Sequence, residues 1–146
     1  VLHRLANTLD AMWGYKNTRF KSFGFFAARA DDILGFISGK ICTLLYALQQ
    51  PFLLALKNAY QQGNQYKSHN GGWVMAAGAT VLNITLGGTA SYHGKTVTSP
   101  TLGINSKVSS AITIKDIPRS ITLVRRAAIL LILFVFTYQL THYILV

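Results

Sequence analysis

A chain of 146 residues has the length of one domain, yet 51% of it is apolar and only 12% charged, a balance unusual for a water-soluble domain of this size. Fourteen Lys and Arg face four acids, Asp10, Asp31, Asp32 and Asp116, giving a formal net charge of +10. The excess calls for anionic partners such as acidic lipid headgroups or phosphorylated ligands. The cations are scattered through apolar sequence rather than clustered with stacking aromatics, which argues against nucleic acid. A single cysteine, Cys42, excludes an internal disulfide and reads as a small buried hydrophobe.

In chain order, Val1 to Ala30 is basic and aromatic-rich, an interfacial helix broken by a loop near Gly14 to Asn17. It opens at Val1 already inside a helical pattern, so the chain is expected to be a piece of a longer one. Asp31 to Tyr60 is apolar but interrupted by Gly35, Gly39, Lys40, Gln49, Gln50 and Pro51. Proline pushes the residue before it out of the helical region, so Gln50 and Pro51 mark a kink or a boundary between two shorter helices.

The stretch "SHNGGWVMAAGATVLNITLGG", Ser68 to Gly88, has the hydropathy of a membrane span. Its helical core, Trp73 to Leu86, reaches only about 21 Å, short of a hydrocarbon core of roughly 30 Å. Gly72, Ala76, Thr80, Asn83 and Gly87 recur at helical spacing as a stripe of small or polar groups, the pattern that lets another backbone approach closely. The glycines at its start, in "HNGGW", also suit an anionic ligand at a helix end. A polar, turn-rich run from Thr89 to Thr113 is expected to hold a hairpin or irregular loops. At "KDIP", Asp116 can cap a helix that tolerates Pro118 in its first turn. Ala127 to Val146 carries no formal charge and spans roughly 30 Å as a helix, so it is expected to cross the membrane. Lys and Arg are abundant before Ala127 and absent after it, which puts the Arg125 end in the cytoplasm.

Few residues are equipped for chemistry. Asp31 and Asp32 stand together in a chain with four acids, about 100° apart if helical. They can hold a divalent cation or a substrate cation, or start a helix and complement its dipole. Asn7, Asp10 and Gly14 fall on one helical face, with Lys16 and Asn17 following, a cluster suited to phosphate or metal or to helix termination. His3, His69, His93 and His142 lack metal-ligand spacing, and no standard phosphate loop occurs.

Taken in order, "NTLDAMWGYKNTRFKSFGFFAARADDILGFI", "HNGGWVMAAGATVLNITLGG", "YHG" and "DIPRSITLVRRAAILL" resemble the C-terminal half of the CobD/CbiB family, the adenosylcobinamide-phosphate synthases of cobalamin biosynthesis. The resemblance implies a multi-pass enzyme of the bacterial inner membrane that uses ATP and Mg²⁺ to join adenosylcobyric acid to aminopropanol phosphate through an amide bond. It makes Asp31 and Asp32 the catalytic and possible Mg²⁺ residues. Asn7, Asp10, Lys16 and Arg29 become candidate substrate contacts. Asn70, Gly71, Gly72 and Trp73 would form one substrate-contacting turn, and Gly87, Gly88, Tyr92 and Gly94 a second. After the acid pair this chain has "GFISGK" where the family has Asn-Tyr-x-Pro-Ala-Arg, and "SHNGGWV" replaces Ser-Pro-Asn-Ala-Gly-Trp-Pro. The expected architecture is an all-α, polytopic integral membrane protein, one membrane domain over residues 1–146, with short re-entrant or interfacial helices, a polar loop region and a C-terminal transmembrane helix. A break at Gln50 and Pro51 would return the acid pair and the "NGGW" motif to one face of the membrane. The expected partners are the two substrates, membrane lipid, and a separate N-terminal half or other corrinoid-pathway enzymes. A non-catalytic AmpE-like membrane signalling protein, or an inactive fragment of the family, is the alternative.

Overall fold

The computed structural model describes residues 2–13, 21–92, 95–104 and 112–145. Among these residues five helices and a hairpin follow one another as α1 (Leu2–Trp13), α2 (Lys21–Ala47), α3 (Phe52–Gly63), α4 (His69–Leu82), β1 (Thr85–Tyr92), β2 (Lys95–Gly103) and α5 (Asp116–Leu145). The chain is therefore mainly helical but not all-α: β1 and β2 form a two-stranded antiparallel sheet. Two compact units are distinguished, Val1–Lys40 and Ile41–Val146.

The first unit holds α1 and most of α2. The interruptions expected at Gly35 and Gly39 do not break α2, which runs for 27 residues. A glycine costs a helix interior only about 1 kcal/mol, too little to end so long an element. Two exposed aromatics of α2, Phe25 and Phe36, carry cations from their own helix. Arg29 lies over the Phe25 ring at 5.3 Å and Lys40 over Phe36 at 5.0 Å, both at four-residue spacing.

The second unit begins with the last turns of α2. The helix ends at the predicted place, tapering through bonds from Gln49 N–H to Tyr46 O and from Gln50 N–H to Ala47 O, both 3.0 Å. Gln50 then takes φ +72° and Pro51 precedes α3. The α3–α4 pair forms the centre of this unit. Ala47, Ala55, Ala59 and Ala77 are wholly buried, with Tyr46, Leu56, Trp73 and Val81 packed around them. The small-residue stripe is correct for Gly72, Ala76 and Thr80, all buried on α4. It fails at Asn83 and Gly87 because the helix has already ended.

Helix α4 sits four residues earlier than its hydropathy suggested. Ser68 is its N-cap, its Oγ accepting from the Gly71 N–H at 3.3 Å. Asn83 ends it in the left-handed conformation at φ +57°, its N–H returning to Thr80 O. Thr85 to Gly88 consequently opens β1. The β1–β2 register pairs Leu86 with Leu102 but Gly88 with Ser99, so Pro100 and Thr101 bulge opposite Gly87. At φ +86° Gly87 lies so close to Pro100 that a Cβ there would stand 2.2 Å from its carbonyl oxygen.

Polar clamps fix the hairpin to the helix pair. Asn58 Nδ2 donates to Thr80 Oγ1 at 3.0 Å and to Gly103 O at 3.2 Å. Gln62 Nε2 donates to the same carbonyl at 2.9 Å while its Oε1 accepts from the Gly103 N–H at 2.7 Å. Gly103, at φ +97°, leaves no room for a side chain between Ile84 O and the Ala79 Cβ.

Helix α5 starts within "TIKD". The Asp116 carboxylate turns back to accept from the Thr113 N–H at 2.8 Å and the Thr113 hydroxyl at 2.9 Å, half of a capping box rather than the forward cap expected. From Asp116 to Leu145 the helix is long and apolar enough to cross a membrane, with a mean hydropathy of 2.0 in its most apolar window. Every residue from Leu131 to Leu145 is exposed.

Candidate functional site

Asp31 and Asp32 lie in the interior of α2, ten and eleven residues past its first, so they neither cap a helix nor face its N-terminal dipole. Asp31 is half-buried and Asp32 exposed. Arg29 shares this stretch but leans back over Phe25, which directs its guanidinium toward the start of the helix. Asn7 is exposed on α1. Among the described residues no group of three or more His, Cys, Asp or Glu is arranged to hold a metal. Adjacent helical acids supply at most one or two carboxylates, a set compatible with Mg²⁺ bound chiefly by phosphate oxygens and water. Lys16 and Gly94, also expected to contact substrate, lie outside the described residues, as do the side chains of Asp10 and Tyr92. The backbone of Tyr92 closes the β-ladder opposite Lys95.

In the second unit the expected "NGGW" turn is instead the first turn of α4. A cap residue at Ser68 brings Asn70, Gly71, Gly72 and Trp73 into helical geometry. Each of the last three has a local structural role. The Gly71 N–H satisfies the cap, and the Gly72 N–H donates to Ser68 O at 2.7 Å. A Cβ on Gly72 would stand 2.4 Å from Gly63 O, so this glycine lets the end of α3 touch the start of α4. Trp73 donates from Nε1 to Asn64 Oδ1 at 2.7 Å and meets the Tyr60 ring edge-on at 5.8 Å. Gly87 and Gly88 do not form a second helix-end turn; they lie in β1 at φ +86° and +87°, Gly87 opposite the Pro100–Thr101 bulge of β2 and Gly88 paired with Ser99. The two glycine pairs thus have local structural causes, a close helix approach and a strand bulge.

In the sequence Arg125 and Arg126 signal topology alone, and Arg119 carries no signal of its own. Arg119 joins α5 to α4: one guanidinium nitrogen donates to Asp116 Oδ1 at 2.5 Å and the other to Leu82 O at 2.6 Å. A cation on the last carbonyls of α4 also complements that helix's dipole. Two Thr113 donors, with Arg119 beside them, hold the Asp116 carboxyl below its ordinary value, against the opposing effect of burial. Gln49, at the α2–α3 corner, donates from Nε2 to Leu45 O at 3.2 Å and Leu123 O at 3.1 Å. The spacing Arg119-x₆-Arg126, two helical turns, was the available signal for this corner.

Comparison with known proteins agrees with the motif resemblance. The family model described as CobD/Cbib protein matches residues 1–124. The cobalamin biosynthesis protein CobD of Stutzerimonas stutzeri is 48% identical over 106 residues, covering 73% of this chain and 35% of that protein. Its namesake in Chromobacterium violaceum is 44% identical over 126 residues, 86% of this chain and 39% of that protein. The Yersinia enterocolitica protein of the same name is 32% identical across 100% of this chain and 46% of its own length. The chain thus spans less than half the length of these curated relatives. No solved structure gives a significant match. Residues 1–124 carry the family pattern, and the chain belongs to the CobD/Cbib protein family.

Proposed function

We propose that this chain carries the C-terminal portion of a synthase that attaches aminopropanol phosphate to adenosylcobyric acid in cobalamin biosynthesis. The observation that carries the reading is the family match across residues 1–124, together with identities of 32–48% to proteins named for cobalamin biosynthesis. In this reading α5 crosses the bacterial inner membrane with its Arg125 end in the cytoplasm, where ATP and the corrinoid are found.

A carboxylate is a poor acyl donor. The terminal phosphoryl group of ATP passes to a carboxylate oxygen of the corrinoid, giving an acyl phosphate and ADP. The neutral amine then attacks the carbonyl carbon; the C–N bond forms, the C–O bond to phosphate breaks, inorganic phosphate leaves and the nitrogen gives up a proton. Bound Mg²⁺ would neutralise charge on the phosphate oxygens. Asp31 or Asp32 would hold that ion, or orient the substrate ammonium and take its proton. Asn7, Asp10, Lys16 and Arg29, on the same side of Lys40 in the sequence, are the proposed contacts to phosphate and carboxylate groups. Gly72 and Trp73 pack the start of α4 against Gly63 and Asn64 within the second unit.

Complementation tests the proposal. A cobalamin auxotroph lacking the synthase should grow when this chain is supplied with the N-terminal portion of a relative. Growth should be lost in the Asp31→Ala, Asp32→Ala double variant at equal membrane abundance. Growth that persists in the double variant removes both acids from the chemistry. Absence of growth with the unsubstituted pair of polypeptides favours the alternative, a non-catalytic member of the family.

A further inference from the structure

Between the α2–α3 corner, the end of α4 and the first turns of α5 lies an open cleft of about 410 Å³, edged by Gln49, Leu82, Arg119, Thr122 and Arg126. Two of its polar residues have already spent their donors. The Thr122 hydroxyl donates to Pro118 O, and the Gln49 amide nitrogen is taken up by Leu45 O and Leu123 O. The guanidiniums of Arg119 and Arg126 are the side-chain donors that remain for a ligand. Arg119 is held rigidly by Asp116 and Leu82 O, with donors left over from its set of five. Arg126 lies seven residues on, about 10.5 Å along the axis and nearly on the same helical face.

Charge balance decides what the cleft wants. From Ile41 to Val146 the sequence contains eight Lys and Arg and a single acid, Asp116, which is committed to Thr113 and Arg119. No second carboxylate exists in this unit to neutralise Arg126, which leaves its charge open to an anionic ligand. Arg126 also immediately precedes the charge-free run that begins at Ala127. A helix spanning the hydrocarbon from Ala127 onward sets the Arg126 guanidinium at headgroup depth, where phosphate is the abundant anion.

We propose that this cleft is a phosphate-binding site at the membrane surface, with Arg126 as its principal ligand and Arg119 as a fixed second donor. The planar fork of Arg matches two phosphate oxygens at once, which a diffuse basic surface does not. The phosphate is either that of an anionic phospholipid or that of a soluble phosphorylated compound. The site does not depend on the synthase reading, because its test measures binding and not product.

The full chain in detergent micelles is titrated separately with phosphatidylglycerol and with inorganic pyrophosphate, and bound probe is read by native mass spectrometry. Arg126→Gln should weaken binding of one probe about tenfold, the effect of losing one charge-assisted hydrogen-bonded pair. Arg125→Gln removes the same charge at the same depth but does not edge the cleft, and it should change binding less than twofold on the order expected for a screened surface charge. Loss confined to phosphatidylglycerol identifies a lipid site, and loss confined to pyrophosphate a soluble-ligand site; either supports the proposal. Equal weakening by the two substitutions, or no binding of either probe, overturns it. Arg126 is exposed, so its replacement leaves the fold intact, and an unchanged circular dichroism spectrum checks this.

Discussion

Between Ala55 and Thr80 the chain buries alanines and glycines against one another and closes its polar groups with side-chain amides, whereas between Leu131 and Leu145 not one residue is buried. Both regions are apolar by composition. In the first, small side chains let α3 and α4 approach until Gly63 and Gly72 touch, so the apolar surface is covered from within. In the second, large side chains such as Phe134, Phe136 and Leu140 project from α5 with nothing from the described residues over them. Mean hydropathy does not distinguish these cases; side-chain size and the presence of buried polar partners do.

Substitutions on the two sides of this comparison should behave differently. The largest effect is expected at Gly103→Ala, whose Cβ would meet Ile84 O at 2.3 Å on a backbone at φ +97°. Overpacking and left-handed strain together should cost roughly 3 kcal/mol or more, read as a lowered unfolding midpoint in detergent. Phe134→Asp should leave that midpoint nearly unchanged yet disfavour membrane insertion by about 3 kcal/mol, measured as the inserted fraction in a translocation assay. A drop in the detergent midpoint of comparable size would mean that α5 is packed on protein.

A smaller loss, about 2 kcal/mol, is expected for Asn58→Ala, which removes both donors from Thr80 Oγ1 and Gly103 O inside the core. Denaturant unfolding gives the value, and Asn58→Asp should be at least as costly because a buried carboxylate replaces the donors. The weakest effect concerns acid. The Asp116 carboxyl is held below its ordinary value in the folded chain, so its contribution is complete above the unfolded value near 3.9 and disappears as pH falls through the lower folded value. Stability should therefore be insensitive to this group from pH 5 to 8. Below about pH 4 the Thr113–Asp116–Arg119 clamp should loosen, and Asp116→Asn should flatten that acid limb.

The sequence made some of these elements readable. Ala127 to Val146 and the break at Gln50 and Pro51 are strong signals because a charge-free run and a proline each constrain the backbone directly. The register of α4 departs from its hydropathy because two short polar signals, Ser68 at the start and Asn83 at the end, outweigh the apolar centre at Trp73 to Leu86. Those two side chains fix the helix, and moving it by four residues also places Gly87 and Gly88 in β1, where Gly87 lies opposite the bulge of β2. The acid pair was visible as composition, but its place in the interior of α2 was not. No local signal separates a helix start from a long helix when glycines interrupt the pattern. Arg119 gained its partners from Leu82, 37 residues away, a contact that no spacing rule contains.

The Gln62 side chain offers Gly103 one donor and one acceptor, the same pair that a neighbouring strand would present. A two-stranded hairpin alone is marginal in water, and here α3 supplies part of a third edge. Because α3 and α4 precede the hairpin in the chain, a ribosome releases the template before the strands that need it. Assembly of this unit can thus follow the direction of synthesis, with β1 and β2 settling onto a helix pair that is already in place.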